Sequence, residues 1–244
     1  MNHSTFTIIQ SKALTASVQE LKLRGDCSAI TTPGQFVQVE VPGKFLRRPF
    51  SVVDWEDDVL TLCVRRSGSG TDILCNLDAG TELNLLTGLG NGFTTRHVTP
   101  LPLLLGGGSG VGALYSLAKN LTERGKVVSA ALCFRTAADV YYVNQFAELD
   151  AQVYIYTEDG SMGEKGNALD ALELTHSQLF ACGPLPMLAA LDANEELDAQ
   201  FSLEARMGCG FGACMGCTIE TDDGPKRVCD DGPVFPGGTI VWET

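Results

Sequence analysis

The chain has 244 residues, more than one average domain needs and enough for two compact units with a small appendage, and its 44% hydrophobic content is ample for real cores. Thirty Asp and Glu against 17 Lys and Arg give a net charge of −13, which opposes attraction to phosphate backbones and anionic lipid and excludes nucleic acid and membrane surfaces as expected partners. No run reaches the roughly 18 apolar residues of a membrane span, and the polar start from Met1 to Ser11 lacks the regions of a secretory signal, so a cytoplasmic protein is expected.

The first ninety or so residues read as β structure. A Pro33-Gly34 turn precedes the alternation of residues 35–41, a second apolar stretch runs from Val59 to Val64, and a helix is expected over 71–77. Short strands with turns between them predict a small antiparallel barrel. From about Val98 the rhythm changes to short apolar strands alternating with helical patterns, the mark of a parallel sheet covered by helices. Strands are expected at 101–105, 127–134, 152–156 and 178–181, and helices at 111–123 and 184–197, with Pro184 and Pro186 where a helix start tolerates proline. The stretch from Leu203 to Thr244 is rich in Gly and Cys and too short to bury a core of its own, so a metal centre is expected to stabilise it.

Nine cysteines are many for such a chain, and four of them, Cys209, Cys214, Cys217 and Cys229, fall within about twenty residues. Cys209-x4-Cys214-x2-Cys217, followed after eleven residues by Cys229, is the plant-type [2Fe–2S] spacing. Gly208, Gly210, Gly212 and Gly216 surround these thiols and leave backbone N–H groups free to bond cluster sulfurs. Zinc is the competing occupant, although zinc ribbons favour two Cys-x2-Cys knuckles.

Arg47-Arg48-Pro49-Phe50-Ser51 follows the strand around Phe36, and a guanidinium is the natural partner of a phosphate. Val64-Arg65-Arg66-Ser67-Gly68-Ser69-Gly70-Thr71 ends a strand and opens a helix, offering free N–H groups to an anion. Taken singly, these are also what surface charges and an N-capped turn look like. In the second half, Leu105-Gly106-Gly107-Gly108-Ser109-Gly110 is strand, glycine-rich turn and helix, where a pyrophosphate can approach bare backbone, although the loop is not a strict Gly-x-Gly-x-x-Gly and alone fits many phosphates or none. Cys182-Gly183-Pro184 ends a later strand, where ligands collect in open α/β sheets. Glu158 and Asp159 end another; they favour NAD over NADP, with Arg135 arguing a little the other way. The three histidines sit in no motif, and no acid pair or nucleophile set stands out.

Arg48-Pro49-Phe50-Ser51, Gly88 to Phe93 and the Cys-Gly-Pro element resemble the ferredoxin reductase family. With Ser202-Leu203-Glu204-x-Arg206-Met207-x-Cys209 and Lys226-Arg227-Val228-Cys229-x-Asp231-Gly232-Pro233-Val234-Phe235 added, the chain resembles the electron-transfer subunits of class 1B dihydroorotate dehydrogenases over nearly its whole length. The resemblance implies three modules: an FAD-binding β-barrel over 1–97, an NAD-binding α/β domain over 98–200 and a [2Fe–2S] domain over 201–244. It implies FAD contacts from Arg48, Pro49, Phe50, Ser51, Val64, Arg65, Arg66, Gly70 and Thr71. NAD contacts are expected from Gly106, Gly107, Gly108, Gly110, Cys182, Gly183 and Pro184, with Cys182 near the nicotinamide, and cluster ligation from the four clustered cysteines. No residue of the chain is expected to be catalytic in itself. The implied partner is an FMN-containing dihydroorotate dehydrogenase catalytic subunit, two copies of each subunit assembling, with electrons passing through [2Fe–2S] and FAD to NAD⁺ in de novo pyrimidine biosynthesis. A related FAD and [2Fe–2S] subunit serving another enzyme, or a zinc-stabilised interaction module, are the competing readings. Gly112-Ala113 stands where the reductase family usually has prolines, and Thr87-Gly88 where Gly-Pro is commoner.

Overall fold

The computed structural model describes residues 1–242; residues 243 and 244, the end of the expected cluster domain, lie outside the described residues. The N-terminal half is built from β1 (Asn2–Ala13), β2 (Val18–Arg24), β3 (Phe36–Val39), β4 (Arg48–Ser51), β5 (Asp54–Glu56), β6 (Val59–Arg65) and β7 (Glu82–Leu89), with helix α1 (Ser69–Cys75) between the last two. The strands pair antiparallel in the order β4-β3-β7-β1-β2-β6-β5. Among the described residues no ladder joins β4 to β5, so the expected barrel is a curled sheet, a half-barrel. Its seam is bridged where Val52 N–H donates to Gln35 O at 3.0 Å and Val53 N–H to Thr61 O at 3.1 Å. Alternate residues of each strand point inward, and Phe6, Ile8, Leu21, Leu23, Val37, Val39, Leu60, Leu62 and Leu85 fill the curl.

The second half is a sheet of β8 (Pro102–Gly107), β9 (Ser129–Phe134), β10 (Gln152–Thr157), β11 (Glu164–Lys165), β12 (Gln178–Cys182) and β13 (Ala199–Ser202), all parallel, in the order β11-β10-β9-β8-β12-β13. Its central strands are apolar on both faces because both are covered. Leu104, Ala130, Leu132 and Phe180 face one way, onto α2 (Gly110–Ala113) and α3 (Tyr115–Glu123). Leu103, Leu105, Ala131, Leu179 and Ala181 face the other way, toward Leu188 and Leu191 of α5 (Leu185–Asp192). A short α4 (Val143–Glu148) precedes β10.

Several elements differ from their expected extents. The helix expected over 111–123 is two, interrupted at Leu114: Gly112 N–H turns to the Tyr141 hydroxyl at 3.4 Å, and Leu114 N–H closes a tight i−3 turn onto Val111 O. The helix expected to reach 197 stops at Asp192, whose carboxylate accepts from Gly238 N–H and Trp242 Nε1, both at 2.7 Å. That contact ties the C-terminal segment to the sheet. The segment also adds β14 (Thr218–Ile219), which pairs with β15 (Lys226–Arg227), and β16 (Val234–Pro236), which extends the large sheet antiparallel to β13. The boundary drawn at 200/201 therefore falls inside β13, and Val228, Phe235 and Ile240 share the core beneath α5 rather than forming one of their own.

Candidate functional site

Cys209, Cys214 and Cys217 share one loop and Cys229 follows beyond the β14–β15 hairpin; among the described residues no three of the side chains are gathered closely enough to form a ready-made metal site, but they do meet in twos. Cys209 and Cys214 lie side by side, as do Cys217 and Cys229, an arrangement of two pairs that suits a two-iron centre in which each iron takes two thiolates. Backbone donors already point at the sulfurs: Ala213 and Cys214 N–H at 3.2 and 3.4 Å from Cys209 Sγ, Gly212 N–H at 3.1 Å from Cys229 Sγ, and Cys229 N–H at 3.4 Å from Cys217 Sγ. Burial raises the Cys209 thiol, but the N–H groups of Phe211 and Cys214, the Cys214 side chain and the Ala213 N–H outweigh it and bring it down to about 6. Desolvation and the neighbouring Cys217 push Cys229 up to about 12. The loop needs its glycines: Gly210 and Gly212 have φ of +81° and +85°, and a Cβ on Gly208 would sit 3.2 Å from Cys214 Sγ. Donor set, pairing and backbone donors all fit a [2Fe–2S] group.

Beside this loop a groove of about 880 Å³ runs between the half-barrel and the α/β sheet, a volume suited to a large cofactor. Arg48, Pro49, Phe50 and Ser51 from β4, Arg65 and Arg66 from the end of β6, and Thr71 of α1 all line it. Arg47 lines it too, but its guanidinium is committed to Glu40 Oε2 at 2.8 Å and to the Asn84 side chain and carbonyl at 2.7 and 2.8 Å. Arg48 has only local carbonyl partners, Leu46 O and Arg47 O, and lies 3.1 Å from where a Cβ on Gly70 would stand. It is thus the arginine held against the first turn of α1, where the N–H groups of Ser69, Gly70 and Thr71 have no intrahelical acceptor. With Arg206, five guanidiniums line one groove of an acidic protein, a local positive field suited to a pyrophosphate. Val64 does not line the groove with its side chain, which is buried inside the half-barrel.

A second groove of about 470 Å³ opens at the C-terminal ends of β8, β9, β10 and β12. Gly107, Gly108 and Pro184 line it, together with Arg135, Asp139, Glu158, Asn167 and Met187. A Cβ on Gly107 would meet Met187 Sδ at 2.4 Å, the far end of a flexible side chain that lies over this bare backbone. Gly106 and Gly110 play a different part from the one expected of them: a Cβ on Gly106 would strike Val111 Cα at 2.7 Å, and one on Gly110 would strike Cys182 O at 2.1 Å. Both let α2 pack on the sheet. Gly183 likewise admits Met187. Cys182 is 1% exposed with its thiol pushed up to about 12 by burial, so its side chain sits behind the groove wall. Asp159 is bound into its own loop, accepting from Ser161 N–H at 3.0 Å and Ser161 Oγ at 2.5 Å, which leaves Glu158 and Asp139 as the carboxylates lining the groove, together with Arg135.

Arg65 and Ser109 line both grooves, so the two meet. The sequence did not single out the loop after β13 as part of the first groove: Leu203, Glu204, Ala205, Arg206 and Met207 line it, and two residues later the chain reaches Cys209. Glu204 accepts from Ser109 Oγ at 3.1 Å, joining this loop to the glycine-rich turn. The conjunction of Ser202-Leu203-Glu204 with Arg206-Met207 just ahead of the cysteines was the available signal. On the barrel side the Gly88–Phe93 exit is pinned to the same segment, with Asn91 N–H donating to Gly232 O and Asn91 Nδ2 to Asp231 O, both at 2.8 Å.

Comparison with known proteins agrees with this geometry. Residues 204–241 match the family model of the iron-sulfur cluster binding domain of dihydroorotate dehydrogenase B. The structure of the NADH-dependent reduced ferredoxin-NADP oxidoreductase, a protein linked to flavin-based electron bifurcation, superposes with a TM-score of 0.88 at 26% identity, covering 98% of this chain and 90% of that one. The flavohem-like FAD/NAD binding domain of nitric oxide dioxygenase from Vibrio cholerae shares the fold at a TM-score of 0.71 and 18% identity, over 83% of this chain and 98% of that one. Two full-length relatives, each a dihydroorotate dehydrogenase B (NAD(+)) electron transfer subunit, come from Geobacillus sp. (strain WCH70) at 39% identity and Bacillus cereus (strain Q1) at 38%, each aligned over 99% of both chains. The paired cysteines, the arginine-lined groove and the glycine-rich turn thus stand in a chain that belongs to the family of dihydroorotate dehydrogenase B electron transfer subunits.

Proposed function

We propose that this chain carries electrons from a dihydroorotate-oxidising FMN subunit, through a [2Fe–2S] cluster held by Cys209, Cys214, Cys217 and Cys229, to an FAD in the arginine-lined groove and on to NAD⁺. The observation that carries the proposal is continuity: one loop, Leu203–Met207, walls the flavin groove and leads directly into the cysteine loop, while Arg65 and Ser109 join that groove to the nicotinamide one. When bound, the cofactors supply hydride and single-electron transfer.

The chain supplies placement. Arg48, Arg65 and Arg66 hold the FAD pyrophosphate against the open turn of α1, while Pro49, Phe50 and Ser51 border the ring system. Gly112 and Ala113, at the start of the sheet-covering helices, close the groove from the other side without the prolines common in reductases. Gly107 and Gly108 admit the NAD pyrophosphate, and Glu158 meets a free ribose hydroxyl and repels a 2′-phosphate. The catalytic partner docks at the cluster loop, where Cys214, Phe211 and Met215 are exposed, and two copies of each subunit assemble. Among the described residues no helix is long and apolar enough to cross a membrane.

Anaerobic purification of the chain tests the cofactor set: the expected product is red-brown, contains iron, sulfide and FAD, and bleaches with NADH. A colourless zinc protein overturns the proposal. The close match to a reduced ferredoxin-NADP oxidoreductase favours one second reading, service to a different oxidoreductase. Under that reading, dihydroorotate would leave the complex with the FMN subunit oxidised.

A further inference from the structure

We propose that the side-chain amide of Gln38 donates a hydrogen bond to a sulfur of the cluster, positioning the cysteine loop and raising the cluster's reduction potential. The proposal rests on the iron–sulfur reading of that loop.

Gln38 lies in the middle of β3, whose alternate residues Val37 and Val39 enter the half-barrel core. Phe36 and Gln38 point the other way. That outer face of the strand is covered: Gln38 is 0% exposed, and Phe36 packs into the core shared with Cys217, Val228 and Cys229. The covering group next to Gln38 is the residue after the first cluster cysteine. A Cβ on Gly210 would lie 2.5 Å from Gln38 Nε2 and 2.6 Å from its Cγ, so the chain at Gly210 packs closely against the Gln38 side chain.

Neither Nε2 nor Oε1 of Gln38 has a hydrogen-bond partner, although both are buried. Leaving a buried polar group unpaired costs about 1–3 kcal/mol, a penalty that Leu or Met in the same space would not incur. The strand is not careless with its amides. Three residues earlier Gln35 is used at both ends, Oε1 accepting from Thr31 and Thr32 N–H at 2.8 and 3.1 Å and Nε2 donating to Gly90 O at 3.1 Å. The orphaned amide is the one beside the cysteine loop, and cluster sulfurs are anionic acceptors with spare lone pairs. An N–H donor at sulfur stabilises the reduced, more negative cluster and so raises its potential.

The experiment uses the full chain with FAD and cluster, prepared anaerobically as wild type, Gln38→Leu and Gln38→Met. EPR-monitored redox titration reads the cluster potential, and pulsed EPR on the reduced cluster reads coupling to side-chain 15N-labelled glutamine. The expected result is a lower cluster potential in both variants, unchanged flavin potentials, and a 15N coupling present in wild type and lost on substitution. Equal cluster potentials with no such coupling in wild type overturn the proposal and leave the amide bridged by water. If neither variant assembles, the wild-type coupling alone decides. Absence of any reduced-cluster signal in wild type overturns the iron–sulfur reading itself, and is distinct from a cluster whose potential ignores Gln38.

Discussion

Two glycines two residues apart predict opposite responses to the same substitution. A methyl on Gly110 would stand 2.1 Å from Cys182 O, 2.3 Å from Cys182 C and 2.7 Å from Gly183 N, all backbone atoms that no rotamer change can move. Restoring an ordinary 3.4 Å contact from 2.1 Å requires α2 to withdraw from β12 by about 1.3 Å. Overpacking of this kind costs roughly 1–3 kcal/mol where side chains can adapt, so Gly110→Ala belongs at the top of that range, about 3 kcal/mol. For a chain of this size, that corresponds to a melting point lower by about 6–12 °C. A methyl on Gly112 would find Val53 Cγ2 at 3.4 Å and Cys63 Cβ at 3.5 Å, ordinary contacts. Because alanine is favoured over glycine within a helix by roughly 0.5–1 kcal/mol, Gly112→Ala is expected to be neutral or slightly stabilising. Thermal and urea unfolding of the flavin-loaded chain, with FAD content measured alongside, checks both. A Gly110→Ala cost below about 1 kcal/mol, or an equal cost for Gly112→Ala, would refute the close-packing account of the glycine-rich turn.

Arg48→Ala is expected to loosen FAD by about 10–100-fold, the loss of a charge-assisted bond worth roughly 1.5–3 kcal/mol; flavin fluorescence release reads it, and Arg47→Ala should lower stability while leaving FAD affinity near wild type. Tyr142→Phe removes the 2.6 Å hydroxyl bond to the buried Glu20 carboxylate that ties the α/β half to β2. Its expected cost is about 1–3 kcal/mol in unfolding, and an unchanged midpoint would mean that this contact does not join the two halves. Glu158→Gln is expected to raise kcat/KM for NADPH relative to NADH by about tenfold, equivalent to roughly 1.4 kcal/mol, in steady-state reduction of an artificial acceptor; an unchanged ratio would remove Glu158 from the ribose site.

What the sequence made legible was what is local. The four candidate ligand cysteines sit within one short span, so their spacing alone nominates them, and the Arg48–Ser51 and Arg65–Thr71 segments each carry their own signal. What it hid depends on pairing across long sequence separations. The alternation around Phe36 reads as a strand but says nothing of what covers Gln38, and only the structure shows Gly210 packed onto that face. Nothing near Val234–Pro236 announces that it will extend the parallel sheet beside β13, and so the modular boundary at 200/201 was drawn through a strand. The glycine-rich turn was read as uniform phosphate contact, whereas Gly107 and Gly108 face the groove and Gly106 and Gly110 serve helix packing. Cys182, buried in its strand end, could not be distinguished by motif from a groove-lining thiol.

The central claim is an electron path from dihydroorotate through the cysteine loop to NAD⁺. The most direct measurement combines the chain anaerobically with the FMN-containing catalytic subunit, adds dihydroorotate and NAD⁺, and follows NADH formation for wild type and Cys217→Ser. The account predicts NADH formed in step with orotate in the wild-type complex, and loss of that coupling in Cys217→Ser while NADH still reduces the variant's FAD. Undiminished NADH formation without the cluster, or no passage of electrons from dihydroorotate in the wild-type complex, would contradict it.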